Sequence, residues 1–126
     1  MSEPYRRYRT FYQDISGQLK VLATTDDTTL VTVRNANHTI YIQKIHFFVS
    51  TDAAQSINFE DSASPTVIIF GIPASPGVNS TWVMDFGPMG YGLTEGKNFL
   101  MDVSAIGVAG KLTWEGYQKL TAVGAA

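Results

Sequence analysis

Thr39-Ile40-Tyr41-Ile42-Gln43-Lys44-Ile45-His46-Phe47-Phe48-Val49-Ser50 decides the fold. Its apolar residues alternate: Ile40 and Ile42 first, then Ile45, Phe47 and Val49. Period-two hydrophobicity marks a strand with one side on a core. β-Branched and aromatic side chains suit such a pleated, half-buried surface. The phase slips by one residue near Gln43-Lys44. A β-bulge absorbs such a slip, and so does a strand that leaves one sheet for another.

The same period continues on both sides. Upstream, Leu19–Ala23 is a first apolar run, and Thr29–Arg34 puts Thr29, Val31 and Val33 on one face. Downstream, Ile57 and Phe59 alternate with Ser56, Asn58 and Glu60. Thr66–Ile72 is apolar throughout and reads as a strand buried on both faces. Trp82, Met84 and Phe86 alternate with Val83 and Asp85, and Phe99, Met101 and Val103 with Leu100 and Asp102. Lys111–Tyr117 closes the series with Leu112 and Trp114. Turn signals separate the runs, among them Gly87-Pro88-Met89-Gly90, with Pro at the second position of a type I turn. About eight strands in two packed sheets is the jelly-roll number. The fold expected is all-β: one antiparallel, jelly-roll-like β-sandwich over residues 18–126, preceded by an extended N-terminal arm, residues 1–17. Phe47, Phe59, Trp82, Phe86 and Trp114 are the expected core.

Composition narrows the function. The chain has 126 residues and no Cys, so thiolate metal sites, thiol nucleophiles and disulfides are excluded. Charged residues make up 16% against the usual value of about 25%, leaving Thr, Ser, Asn, Gln and Gly to cover the surface. Residues 1–20 carry a net charge of +2 and residues 21–126 a net of −4. A mildly acidic body behind a short basic arm does not suit duplex nucleic acid, which needs a broad basic face. No apolar run approaches the roughly 20 residues that span a bilayer, and the N-terminus has no apolar signal core. The Asn37-His38-Thr39 and Asn79-Ser80-Thr81 sequons read as turns.

Catalytic and ligand motifs are weak. His38 and His46 lie eight residues apart on one strand, roughly 26 Å, too far to share an ion. The acid pairs Asp26-Asp27 and Glu60-Asp61 read as loop carboxylates without EF-hand spacing. Gly90-Tyr91-Gly92-Leu93-Thr94-Glu95-Gly96 has its third Gly one place late for a dinucleotide fingerprint, and a strand pattern follows it. No Gly-x-Ser-x-Gly elbow occurs, and nothing in the sequence brings Asp85, Asp102 or Glu115 together. No enzyme activity, cofactor or metal is expected.

The N-terminal arm is the candidate partner-binding segment: Tyr5, Arg6, Arg7, Tyr8, Arg9, Phe11 and Tyr12. Arg and Tyr are the residues favoured at interface hot spots. The arm reads as a segment lying on a neighbouring subunit, as one packed across its own sheet edge or disordered, or as a stacking surface for single-stranded nucleic acid.

Four stretches resemble small β-sandwich virion proteins of tailed phages, the capsid decoration or cement proteins and other accessory proteins. They are Ile40–Ser50, Ser56-Ile57-Asn58-Phe59-Glu60-Asp61, Asp85-Phe86-Gly87-Pro88-Met89-Gly90-Tyr91-Gly92-Leu93 and Gly96-Lys97-Asn98-Phe99-Leu100. The resemblance spans roughly residues 19–120. It implies a jelly-roll-like homotrimer made in the host cytoplasm and carried on the virion, stabilising the shell by binding the major capsid protein or other virion subunits. The arm has no counterpart in that resemblance. The rival is a carbohydrate- or receptor-binding module of a phage tail, with Tyr41, Tyr91 or Tyr117 as its aromatic platform.

Overall fold

The computed structural model describes residues 12–22, 25–51, 56–63, 67–73, 76–103 and 108–120. Among them run nine strands: β1 (Tyr12–Val21), β2 (Thr28–Val31), β3 (His38–Thr51), β4 (Ile57–Asp61), β5 (Ile68–Ile72), β6 (Thr81–Asp85), β7 (Tyr91–Gly92), β8 (Phe99–Val103) and β9 (Ala109–Leu120). They form two antiparallel sheets, β1-β9-β3-β6 with β7 also on β3, and β2-β8-β4-β5. No described helix is long and apolar enough to cross a membrane.

The pairing is nested. β4 pairs with β5, β3 with β6 and β7, β2 with β8, and β1 with β9. That is one long antiparallel ribbon doubled back on itself. Two further ladders, β3 with β9 and β4 with β8, roll the ribbon into two sheets. The result is a jelly roll, as expected. Its ninth strand is the two-residue β7, which interrupts the connection from β6 to β8.

The inward phase of each strand fills the space between the sheets. Ile40, Ile42, Ile45, Phe47 and Val49 of β3 are fully buried, against Ile57 and Phe59 of β4, Phe99 and Met101 of β8 and Leu112 of β9. Removing each Phe from water stabilises the fold by about 2–3 kcal/mol. Trp114 meets Phe99 edge-on at 6.4 Å, which ties the two sheets together at mid-core.

The phase slip in β3 is a bulge. Ile42 pairs with Gly116 and Lys44 with Glu115, so Gln43 is the extra residue and β3 stays in its sheet. A second irregularity lies between Val49 and Thr51. Glycines of β9 face both places: a Cβ on Gly116 would overlap the Tyr41 carbonyl oxygen, and one on Gly110 the Phe48 carbonyl oxygen. The bulged backbone of β3 needs the space that a side chain would fill.

Several expectations are corrected. Trp82 and Phe86 are only half-buried, because β6 is an edge strand with one neighbour. The Trp82 indole N–H donates to Ser80 Oγ at 3.0 Å near the surface. The apolar run Thr66–Ile72 is not buried on both faces: β5 is the other sheet's edge, and Ile68 is 59% exposed. Glu60 and Asp61 sit in β4, not in a loop. The first strand begins at Tyr12, so residues 12–17 are strand, not arm.

Candidate docking face

The outer surface of the β1-β9-β3-β6 sheet is a grid set by the register. One row runs Lys20, Lys111, Phe48, Thr81, and the next Gln18, Thr113, His46, Val83. A third runs Ser16, Glu115, Lys44, Asp85, and a fourth Asp14, Tyr117, Tyr41, Gly92. Members of the first three rows on β1, β9 and β3 line a shallow depression of about 690 Å³, between Ser16 and Gln18 on one side and Lys44, His46 and Phe48 on the other. A second depression of about 430 Å³ continues it past Lys20, Ser50 and Gly110. The two share Gln18, Phe48 and Lys111, so they form one open trough across three strands. Phe48 and Val83 stand exposed on this face, 37% and 47%.

The trough's chemistry is mixed. Lys44 lies between Asp85 and Glu115 in register, and His46 lies between Thr113 and Val83. A broad, open surface of small polar groups with scattered apolar ones suits another macromolecule; small-molecule sites are concave and bury most of their ligand. The sequence shows His46, Val83, Asp85 and Glu115 singly but does not group them, because their strands meet only through register. Phe48 and Val83 carried the signal, as apolar residues in the outward phase of their strands.

The tyrosines of the sugar-binding reading divide. Tyr41 and Tyr117 are opposite one another on β3 and β9 and stack at 4.9 Å, 11° from parallel. A Cβ on Gly92 would come within 3.0 Å of the Tyr41 ring, and the Tyr117 hydroxyl donates to the Met89 carbonyl at 2.7 Å. The faces of Tyr41 are thus occupied by the protein. Tyr91 sits opposite Ile42, in the other phase, 5.5 Å from Phe86. The three rings make no common platform.

The acids fall into two groups. Asp61 accepts from the Ala63 N–H at 2.9 Å and, through its other oxygen, from the Thr94 N–H and hydroxyl at 3.1 and 2.9 Å. Burial alone would raise its pKa, but these donors hold it below the usual carboxylate range. Glu60 and Asp102 line a small hollow of about 240 Å³ with Asp27, which accepts from the Val103 N–H at 2.8 Å. The Glu60 carboxyl is pushed up by burial and then by the neighbouring Asp102; Asp102 is raised by burial and then by Asp27. Among the described residues no group of three or more His or carboxylate side chains is placed to hold a metal ion. His38 is a buried structural residue, its Nδ1 2.7 Å from Asn35 Oδ1. Asp85 and Glu115 share the outer face of one sheet, whereas Asp102 belongs to the other.

The candidate arm residues Tyr5, Arg6, Arg7, Tyr8, Arg9 and Phe11 lie outside the described residues. The backbone of Tyr12 is the first position of β1, opposite Lys119.

No protein-family model and no curated protein sequence matches this chain. Among solved structures the chain is similar to one in the virus-like particle of the extra small virus of the giant freshwater prawn Macrobrachium rosenbergii. The likeness covers 85% of this chain and 79% of that one at 9% identity, with a TM-score of 0.43.

Proposed function

We propose that this chain is a structural subunit of a virion, working by docking onto other virion subunits and, in its specific form, decorating an assembled phage shell. The observation that carries the reading is the open trough across β1, β9 and β3, lined by Phe48 amid Lys, Thr and Gln side chains, with Val83 exposed beside it on the same face. Two features support it. Jelly-roll connectivity is shared by viral capsid domains. The resemblance to tailed-phage accessory proteins covers strands β3, β4, β7 and β8. A subunit that binds assembled shell better than free shell protein stabilises the particle by mass action. The basic, aromatic arm before β1 adds a second contact.

Co-sedimentation with purified shells tests this. The intact chain is expected to pellet with them. Phe48→Ser/Val83→Ser is expected to lose binding while its unfolding free energy stays within about 0.5 kcal/mol of the parent, the usual range for surface substitutions. Deleting residues 1–11, which leaves β1 whole, is expected to weaken pelleting without unfolding the domain. Binding untouched by both changes contradicts the proposal.

A further inference from the structure

We infer that β1 is a pairing edge for a second copy of this chain, the two β1 strands running antiparallel about a two-fold axis at Gly17. β1 is the terminal strand of its sheet, and among the described residues nothing pairs with its other side. Edge strands are normally blunted by shortness, bulges, proline or charged side chains that a second edge leaves uncompensated. The other edges follow that rule: β2 has four residues and an irregular register, β5 has five and is itself bulged at Ile69, and β6 has five. β1 has ten residues, no proline and an unbroken register from Tyr12 to Val21. It offers roughly 34 Å of continuous backbone with no partner strand on its outer side among the described residues.

Register selects the partner. Centring an antiparallel pair on Gly17 keeps outward residues opposite outward ones, as a continuous sheet requires. That register puts Asp14 opposite Lys20 of the second copy, twice by symmetry. It also puts Ser16 opposite Gln18 and Ile15 opposite Leu19. Asp14 and Lys20 are exposed and have no ion-pair partner among the described residues, and Lys20 faces Lys111 of its own β9. A carboxylate from the second copy would relieve that like-charge pairing. Ile15 and Leu19 are half-buried against the core, and the seam would cover what they still expose. Sliding the register by two residues puts Asp14 opposite Gln18 and Ser16 opposite itself, and the charge match is lost. The assembly closes at two copies, in place of the trimer implied by the sequence resemblance, and it does not depend on shell binding.

Sedimentation velocity on the full-length chain, across a wide concentration range, reads the result. The parent chain is expected to dimerise. Asp14→Lys and Lys20→Asp each place like charges opposite one another at both pairs and are expected to weaken dimerisation by about tenfold or more. Asp14→Lys/Lys20→Asp restores the opposite charges and is expected to return the dissociation constant to near the parent value. Circular dichroism on each variant confirms that these exposed substitutions leave the sandwich folded. A parent chain that stays monomeric overturns the inference, as it would if residues 1–11 covered the edge. So does a trimer, a dimer indifferent to the single swaps, or a double swap that fails to restore pairing.

Discussion

A Cβ on Gly17 would overlap the six-membered ring of Trp114 and lie 2.6 Å from its Cε2. The indole therefore lies across the backbone of β1, and only glycine leaves room for it there. The same Trp114 has an Nε1–H that is buried with no hydrogen-bond partner among the described residues. An orphan donor of this kind costs about 1–3 kcal/mol. Trp114 thus combines large apolar burial with an unpaired polar group, and Gly17 is its steric counterpart. Gly17→Ala is expected to destabilise by about 1–3 kcal/mol through overpacking. Trp114→Phe removes the orphan N–H and vacates the space over Gly17, so its net cost is expected below the usual penalty of about 3–5 kcal/mol for truncating a buried Trp to Ala. The decisive quantity is the coupling: in the Trp114→Phe background Gly17→Ala is expected to become nearly neutral, a coupling of about 1–3 kcal/mol. Urea unfolding of the four proteins measures it. Additive single effects would show that the ring and the glycine do not compete for space.

At the scale of the strand, β3 shows what the sequence could and could not reveal. Its phase slip was legible because Ile40 and Ile42 on one side of Gln43-Lys44, and Ile45, Phe47 and Val49 on the other, all needed the same core. The run of β5 reads as a central strand because Val67, Ile68 and Ile69 are equally apolar at a sheet edge and at a sheet centre, and only the ladder tells the two apart. β1 is only half legible because Gln13, Asp14, Ser16 and Gly17 look like loop, yet an edge strand with one wet face tolerates them. The docking face was the least legible feature, since Lys44, His46, Phe48 and Val83 come from two strands joined only by register. The bulge yields a contrast between two deletions. Removing Gln43 restores strict alternation, so the variant is expected to fold, losing the Gln43 amide bond to the Pro88 carbonyl and the Phe86 N–H bond to the Gln43 carbonyl. At about 1 kcal/mol each, these set a cost of roughly 2 kcal/mol. Removing His46 instead turns Phe47 and Val49 outward and Phe48 inward, and no cooperative unfolding transition is expected. Thermal melts followed by near-ultraviolet circular dichroism separate the two; equal tolerance of both deletions would contradict the bulge assignment.

For the molecule as a whole, carboxylates on the β2-β8-β4-β5 sheet pull stability against pH in opposite directions. Glu60 and Asp102 have raised pKa values, from burial first and from neighbouring carboxylates second. A raised group contributes stability below its unfolded-state pKa and loses that contribution as pH climbs through the folded-state value. Asp61 is lowered by the donors from Ala63 and Thr94. A lowered group contributes above its unfolded-state pKa and loses that contribution as pH falls through the folded-state value. The chain thus has one local arrangement that favours acid and one that favours neutrality, with Asp61 tying β4 to the loop after β7. Glu60→Gln keeps a hydrogen-bonding side chain beside Asp102 and removes one negative charge. It is expected to raise stability at about pH 7 by about 0.5–2 kcal/mol, the range seen when surface charge is optimised. The gain is expected to vanish below about pH 4, where a free Glu is itself protonated. Asp61→Asn weakens acceptors that hold three donor groups and is expected to cost about 1–3 kcal/mol at neutral pH, shrinking as the parent's own Asp61 protonates in acid. Thermal midpoints of the parent and both variants from acid to neutral pH should therefore converge at the acid end and diverge in opposite directions at the neutral end. A Glu60→Gln gain of equal size at every pH would mean that charge repulsion in the hollow lined by Asp27, Glu60 and Asp102 is not its source.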